Sequence, residues 1–310
     1  MGKVTVVGSY IVALVIDTKR IPVEGETLTG SNFHSTFGGK GSNMACCAAR
    51  LQADSTFLGK IGKDSYGEEF VSMIKQEGVN SQGVLYSDKL STGVGFIVSS
   101  STGANLIVID AGANGEFSPQ DIESNTSIIE SSDVILSPME IPLETALAAA
   151  KVARGKGIKS IINPAPALDL RKTDLSNVFA ITPNETEGRL CLGLSPEDPI
   201  SDEDLAISLL DLGVENVMLT LGPKGVLWAC KDGLKSIPAL EVDVIDSVGA
   251  GDAFNAGLAV GLSENRPVID AIALGVATAS LSTRKRETIE SYPYRGEVNN
   301  RIEELSHIIK

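Results

Sequence analysis

Four short β-rich runs, residues 134–136, 159–162, 178–181 and 217–219, are separated by helix-like stretches such as 143–154 and 202–212. Neighbouring parallel strands need a crossover of about a dozen residues or more, and the intervals here supply it. The pattern therefore predicts an α/β fold of three layers, with a mostly parallel central sheet flanked by helices. Each run ends in a polar or glycine-rich element: Ser137-Pro138-Met139-Glu140, Asn163-Pro164-Ala165-Pro166, Thr182-Pro183-Asn184-Glu185-Thr186-Glu187, and Thr220-Leu221-Gly222-Pro223-Lys224-Gly225. In an open parallel sheet such loops share the carboxyl edge, where ligands bind.

Two segments break this rhythm, 11–37 and 93–110. Both hold strand-like runs (11–16, 94–98 and 106–109) with no crossover helix between them. They are expected to form a small antiparallel β lid over the sheet edge. Residues 1–10, 38–92 and 111–310 are left as the α/β core. A projecting sheet leaves one apolar face uncovered, so a homodimer formed lid to lid is expected.

Composition narrows the function classes. A net charge of −14 disfavours a nucleic-acid partner, and the one basic cluster, Arg284-Lys285-Arg286, is too short to reverse it. Cys46, Cys47, Cys191 and Cys230 lack CxxC spacing, the adjacent pair Cys46-Cys47 in its apolar stretch reads as buried thiol, and a reducing cytoplasm is the expected setting. The N-terminus has no leader-like segment and no apolar run reaches spanning length, so no membrane is expected. With only His34 and His307, zinc-protease and His-rich metal sites lack parts. Chemistry is left to carboxylates, backbone amides and a hard cation.

Asp246-Ser247-Val248-Gly249-Ala250-Gly251-Asp252 places two carboxylates around a small-residue turn that enters an apolar helix. A base beside a helix N-terminus suits phosphoryl transfer, whereas a plain turn with Asp252 as a cap is the simpler alternative. Phe37-Gly38-Gly39-Lys40-Gly41-Ser42-Asn43 reads either as a ligand-contacting loop or as a hinge between lid and core. Neither a Walker A loop nor a GxGxxG turn is present, which disfavours P-loop and dinucleotide enzymes. Asn184 and Glu187 could orient the waters of Mg²⁺, or form a capping box. The segment 220–225 could wrap nucleotide phosphates, or be a tight hairpin.

In order and combination these motifs resemble the ribokinase-like carbohydrate kinases of the PfkB family, from Val4 to about Arg295. The glycine-rich N-terminal signature departs only at Gln52, where a small residue is usual. The resemblance implies ATP and Mg²⁺, with Asp252 as the base that takes the proton of the acceptor's primary hydroxyl. It implies an anion hole at the turn from Val248 through Gly249, Ala250 and Gly251. Asn184 and Glu187 would hold Mg²⁺ through water; Asn184, Thr220, Gly222 and Gly225 would line the nucleotide. Gly38, Gly39, Lys40, Asn43, Glu140 and Asp246 would line the sugar. A K⁺ site is implied near Asp246, Val248 and the segment after Thr283, although Arg286 follows Arg284-Lys285 where ribokinases usually carry glycine.

The larger departure is near the start. Ribokinases carry Gly-Ser-x-Asn-x-Asp, and this chain reads Gly8-Ser9-Tyr10-Ile11-Val12-Ala13, so the aspartate that grips vicinal hydroxyls is Ala13 and its asparagine neighbour is Ile11. Losing hydrogen bonds to a charged acceptor costs about 1.5–3 kcal/mol each. The expected acceptor is a small sugar: ribose, another pentose, a deoxy-sugar or a related carbohydrate. Asp17, further along the same strand face, could compensate for a longer ligand. A nucleoside kinase and a catalytically idle sugar or nucleotide sensor are the competing readings.

Overall fold

The computed structural model describes residues 1–102 and 104–306, so His307 lies outside the described residues. The chain opens with β1 (Lys3–Val7) and leaves its carboxyl end through Gly8-Ser9-Tyr10 into β2 (Ile11–Thr18) and β3 (Ser31–Gly38). It returns through α1 (Lys40–Arg50), β4 (Asp54–Gly62), α2 (Ser65–Gln76) and β5 (Asn80–Ser87), then leaves again through β6 (Gly93–Ser100) and β7 (Asn105–Asp110). The rest alternates: α3 (Pro119–Ser124), α4 (Thr126–Glu130), β8 (Val134–Pro138), α5 (Leu143–Gly155), β9 (Lys159–Asn163) and β10 (Ala180–Ile181). There follow α6 (Glu185–Cys191), α7 (Asp202–Leu210), β11 (Asn216–Thr220), the hairpin β12 (Val226–Cys230) and β13 (Gly233–Ile237), and α8 (Ala250–Ser263), α9 (Val268–Ser282) and α10 (Arg295–Ser306).

Among the described residues the large sheet has nine strands in the order β13-β12-β11-β10-β9-β8-β1-β4-β5, parallel except for the terminal hairpin β11-β12-β13. This is the expected mostly parallel α/β architecture. The run expected at 178–181 is a strand only at Ala180–Ile181, because Val178 N–H closes a turn onto Leu175 O. The four-stranded sheet, β3-β2-β6-β7, is mixed. Its outer pairs are antiparallel as expected, but the central pair β2–β6 is parallel from Ile11↔Gly93 to Thr18↔Ser100. Both central strands leave the carboxyl edge of the large sheet, so they run the same way.

Apolar side chains fill both faces of the large sheet, with Met44, Phe57, Phe70 and Phe254 in one layer and Ile135, Ala149, Leu205 and Val217 in the other. The α8–α9 pair is apolar almost all round and correspondingly buried, which leaves Asp252 and Asn255 as the polar side chains near the start of α8. No described helix is long and apolar enough to cross a membrane.

Candidate active site

The turn before α8 is built by Gly249, the N-cap, at φ 79°. A side chain there would be strained by the left-handed backbone, and its Cβ would stand 2.9 Å from Tyr292 Oη and 3.1 Å from Thr288 Cγ2. Glycine is required on both counts. The first intrahelical bond runs from Ala253 N–H to Gly249 O, so the N–H groups of Gly251 and Asp252 precede it. A helix N-terminus with free amides is an anion site.

Asp252 does not cap the helix: its side chain is 4 % exposed and reaches across to α1. Asn43 Nδ2 donates to Asp252 Oδ2 at 2.9 Å, and Lys40 Nζ stands 3.7 Å from Oδ1. Neither Asp252 Oδ1 nor Asn43 Oδ1 has a hydrogen-bond partner among the described residues. Asp252 raises the Lys40 pKa above the ordinary lysine range; burial offsets part of this, and Glu140 and Glu187 add to it. Lys40 is therefore a charged ammonium facing three carboxylates, Glu140 in the turn after β8, Glu187 in the first turn of α6 and Asp252 in the first turn of α8.

Glu140, in the turn after β8, holds the start of α1. Its Oε2 accepts from Ser9 Oγ at 2.6 Å and from Lys40 N–H at 2.8 Å, while burial pushes its pKa up. Gly38 ends β3 and Gly39 precedes α1, next to the β1–β2 connection. Ile11 and Ala13 share one face of β2, and Ala13 pairs with Thr36 and Gly95. A Cβ on Gly38 would lie 3.9 Å from Ala13 Cβ, and one on Gly95 3.5 Å from Ile11 Cγ2. Ile11 and Ala13 thus form an apolar stretch bordered by Gly38, Gly95 and Thr36. Asp17 is engaged elsewhere, accepting from Asn32 Nδ2 at 3.0 Å.

Asn184 and Glu187 form a complete capping box on α6: Asn184 N–H donates to Glu187 Oε2 at 2.9 Å, and Glu187 N–H to Asn184 Oδ1 at 2.8 Å. Glu187 Oε1 stays outside this box, and burial raises the Glu187 pKa. No cluster of three or more His, Cys, Asp or Glu ligands occurs among the described residues. That donor set suits an ion that keeps its waters and phosphate oxygens, as Mg²⁺ does. Thr220 bridges Asn184 across the strand ends. Gly222 opens a 3₁₀ turn with nothing near its missing side chain, whereas a Cβ on Gly225 would meet Ile237 O at 2.0 Å. Gly222 thus has room for a ligand, and Gly225 is needed for the hairpin.

Asp246 turns back on its own loop, with Oδ1 accepting from Val248 N–H at 3.0 Å. Thr283 O takes two donors, Ile245 and Asp246 N–H, at 2.8 and 3.1 Å. The structure thus brings Lys40, Asn43, Glu140, Glu187 and Asp252 into one cluster and leaves Asp246 and Val248 on the more exposed rim.

Some participants escaped the sequence reading. Ser9 braces Glu140. Asn255 Nδ2 donates to Gly251 O at 2.9 Å, and Thr182 Oγ1 donates to Asn255 Oδ1 at 2.7 Å. Asn163 Nδ2 in turn donates to Thr182 O at 3.0 Å, so buried polar groups on β9, after β10 and on α8 fix the peptide preceding Asp252. The four-residue spacing of Gly251 and Asn255 was the available signal.

Residues 1–295 match the pfkB family carbohydrate kinase profile. The chain is 37% identical over 303 residues to a ribokinase of Haemophilus influenzae, covering 98% of each. It is 34% identical over 293 residues to a deoxyribokinase of Salmonella typhi, covering 94% of this chain and 95% of the relative. The structure of Arabidopsis thaliana ribokinase complexed with ribose and ATP superposes with a TM-score of 0.89 at 27% identity, over 97% of this chain and 99% of that one.

Proposed function

The chain belongs to the pfkB family of carbohydrate kinases and is an ATP-dependent carbohydrate kinase; we propose that it phosphorylates the primary hydroxyl of a small sugar, with Asp252 as the general base. The observation that carries this reading is the buried Asp252 carboxylate at the α8 N-terminus. One oxygen is fixed by Asn43, and the other, facing Lys40, accepts no hydrogen bond. An acceptor hydroxyl entering between Asp252 and Lys40 would meet that free oxygen. As the hydroxyl oxygen forms its bond to the γ-phosphorus of ATP, its proton passes to Asp252 Oδ1. The bond from γ-phosphorus to the bridging oxygen breaks, and ADP carries away the electron pair.

The amides around Gly249 and Gly251 would hold the equatorial oxygens of the transferring group, where charge persists through a loose transition state. Lys40 would neutralise further charge. Glu187 Oε1 and the remaining lone pair of Asn184 Oδ1 would accept hydrogen bonds from the waters of a bound Mg²⁺, which would supply positive charge beside the ATP phosphates. A K⁺ ion would have Asp246 and backbone carbonyls of the rim, beside the segment after α9 that carries exposed Arg284, Lys285 and Arg286; comparing turnover in K⁺ with Na⁺ tests it.

The acceptor is in the pentose class of the named relatives. The wall of Ile11, Ala13 and Gly95 offers no side-chain acceptor for a vicinal diol, which favours a sugar deoxygenated or differently configured on that edge over ribose. We also assign the four-stranded sheet as a lid and as the homodimer surface, since Phe33, Phe96, Leu106, Ile107, Val108 and Ile109 are all exposed on it.

Asp252→Asn tests the central assignment. It keeps the shape and the Asn43 contact but removes the proton acceptor, so kcat should fall by about 10²–10⁴ with Mg–ATP affinity retained. Turnover within tenfold of the parent would remove Asp252 as the base.

A further inference from the structure

The chemistry above gives no task to the hydroxyl of Tyr292. Its side chain is fully enclosed, and Oη makes no hydrogen bond among the described residues. Oη lies 2.9 Å from where a Gly249 Cβ would stand, directly against the left-handed turn that opens α8. Leaving a buried hydroxyl unpaired costs about 1–3 kcal/mol, and phenylalanine would fill the same space without that cost. Packing alone therefore gives no reason for tyrosine here.

The mounting of this side chain is rigid. Tyr292 N–H donates to Ile289 O at 3.2 Å, and Tyr292 O accepts from Arg50 Nη1 at 3.1 Å. Arg50 is itself gripped by Glu77 through bonds of 2.7 and 2.8 Å. The turn above is the softer partner: Val248 is 60 % exposed, and Gly249 adopts φ 79° without side-chain restraint.

A trans peptide carries its N–H and C=O on opposite sides. Aiming the Gly249 N–H outward at a phosphoryl oxygen therefore turns the Val248 carbonyl inward, toward Tyr292. Glycine at 249 lets that peptide rotate at little cost. We propose that Tyr292 is a positioning residue of the anion hole, its hydroxyl donating to the Val248 carbonyl when a γ-phosphoryl group occupies the turn and so keeping the Gly249 N–H aimed at it. This rests on the reading of Val248 to Gly251 as the anion hole.

Tyr292→Phe tests the inference in a form independent of the acceptor sugar. Titration calorimetry with the Mg²⁺ salts of ADP and of β,γ-imido-ATP is run beside thermal unfolding of the ligand-free protein. The ligand-free Tm should stay level or rise, because an unpaired hydroxyl has been removed. Imido-ATP should bind about three- to tenfold more weakly, the worth of one neutral hydrogen bond, while ADP binding is unchanged. Equal loss for both nucleotides, loss for neither, or a lower Tm with unchanged discrimination between them would make Tyr292 a core residue only. Failure of the parent protein to bind either nucleotide would instead overturn the kinase reading, and this inference with it.

Discussion

Replacing Ala13 by aspartate probes the acceptor assignment where it is most exposed to failure. Ala13 is half-buried on β2, with Gly95 opposite on β6 and the position of a Gly38 Cβ 3.9 Å from its own. Gly95 is its partner on β6 and Thr36 its partner on β3, with Gly38 diagonal to it, so a carboxylate has open space on the Gly95 and Gly38 sides. Partial exposure keeps that carboxylate hydrated in the free enzyme, which limits its desolvation cost. One hydroxyl bonded to a carboxylate contributes about 1.5–3 kcal/mol, or about ten- to a hundredfold in affinity. Ala13→Asp should therefore lower the KM for ribose by about tenfold or more. Adding Ile11→Asn contributes a neutral bond, about 0.5–1.5 kcal/mol, and up to about a further tenfold. Because Lys40, Asn43 and Asp252 are untouched, kcat should change little, the signature of uniform binding. The assay is coupled ADP release against ribose at saturating Mg–ATP, with 2-deoxyribose in parallel, which should gain less for want of one vicinal hydroxyl. A ribose KM within about threefold of the parent in both variants, with activity on the parent's own acceptor intact, would refute the wall as the diol-binding surface.

The exposed apolar side chains of the small sheet give a second expectation. Phe96 and Val108 are paired across β6–β7 and 55 and 58 % exposed; Phe96→Glu should shift a dimer to monomer in light scattering, and an unchanged mass would move the interface elsewhere. The third concerns acid stability. Burial raises the Asp64 pKa, but hydrogen bonds from Thr92 N–H and Oγ1, both 2.7 Å, and from Gly67 N–H, 2.9 Å, outweigh it and hold it below the ordinary value. A depressed folded-state pKa contributes stability that is present above the unfolded value, about 3.9, and lost as pH falls through the folded one. Asp64→Asn should therefore lower Tm at pH 6 more than at pH 2.5; an equal drop at both would show that charge plays no part.

The parallel sheet was legible because its buried strands read as short apolar runs at crossover spacing, a local pattern that survives without tertiary knowledge. The parallel pairing of β2 with β6 was not, since the two lie far apart in sequence and their direction follows from leaving the same sheet edge. The same division holds within the site. Lys40, Asn43 and Asp252 stood inside glycine-marked motifs, and the structure puts them in contact across 209 residues of sequence. Glu187 and Asn184 were legible only as a choice between cap and cation site, and the complete capping box realises the first without using up Glu187 Oε1. Asn163, Thr182, Asn255 and Tyr292 carry ordinary polar side chains, and their relation to the turn exists only once three strand ends and a helix converge.

That convergence shows how the proposed sugar wall could vary while the proposed catalytic cluster stays intact. A buried carboxylate in the apolar α8 is tolerable only where the helix N-terminus, the Asn43 amide and the Lys40 ammonium all offset its charge, and each of these sits on the α/β core. Ile11 and Ala13 sit on β2, in the other sheet, and make no hydrogen bond or ion pair with Asp252. On the proposed assignment, substitutions there would change which hydroxyls are gripped without disturbing Asp252 or the amides beside it. The reverse does not hold: the Gly249 turn is packed against Tyr292 and Thr288, and the peptide after Gly251 is fixed by Asn255 and Thr182. On the same assignment, changes to the chemistry would have to pass through these packed residues, whereas the diol-facing wall could change on β2 alone.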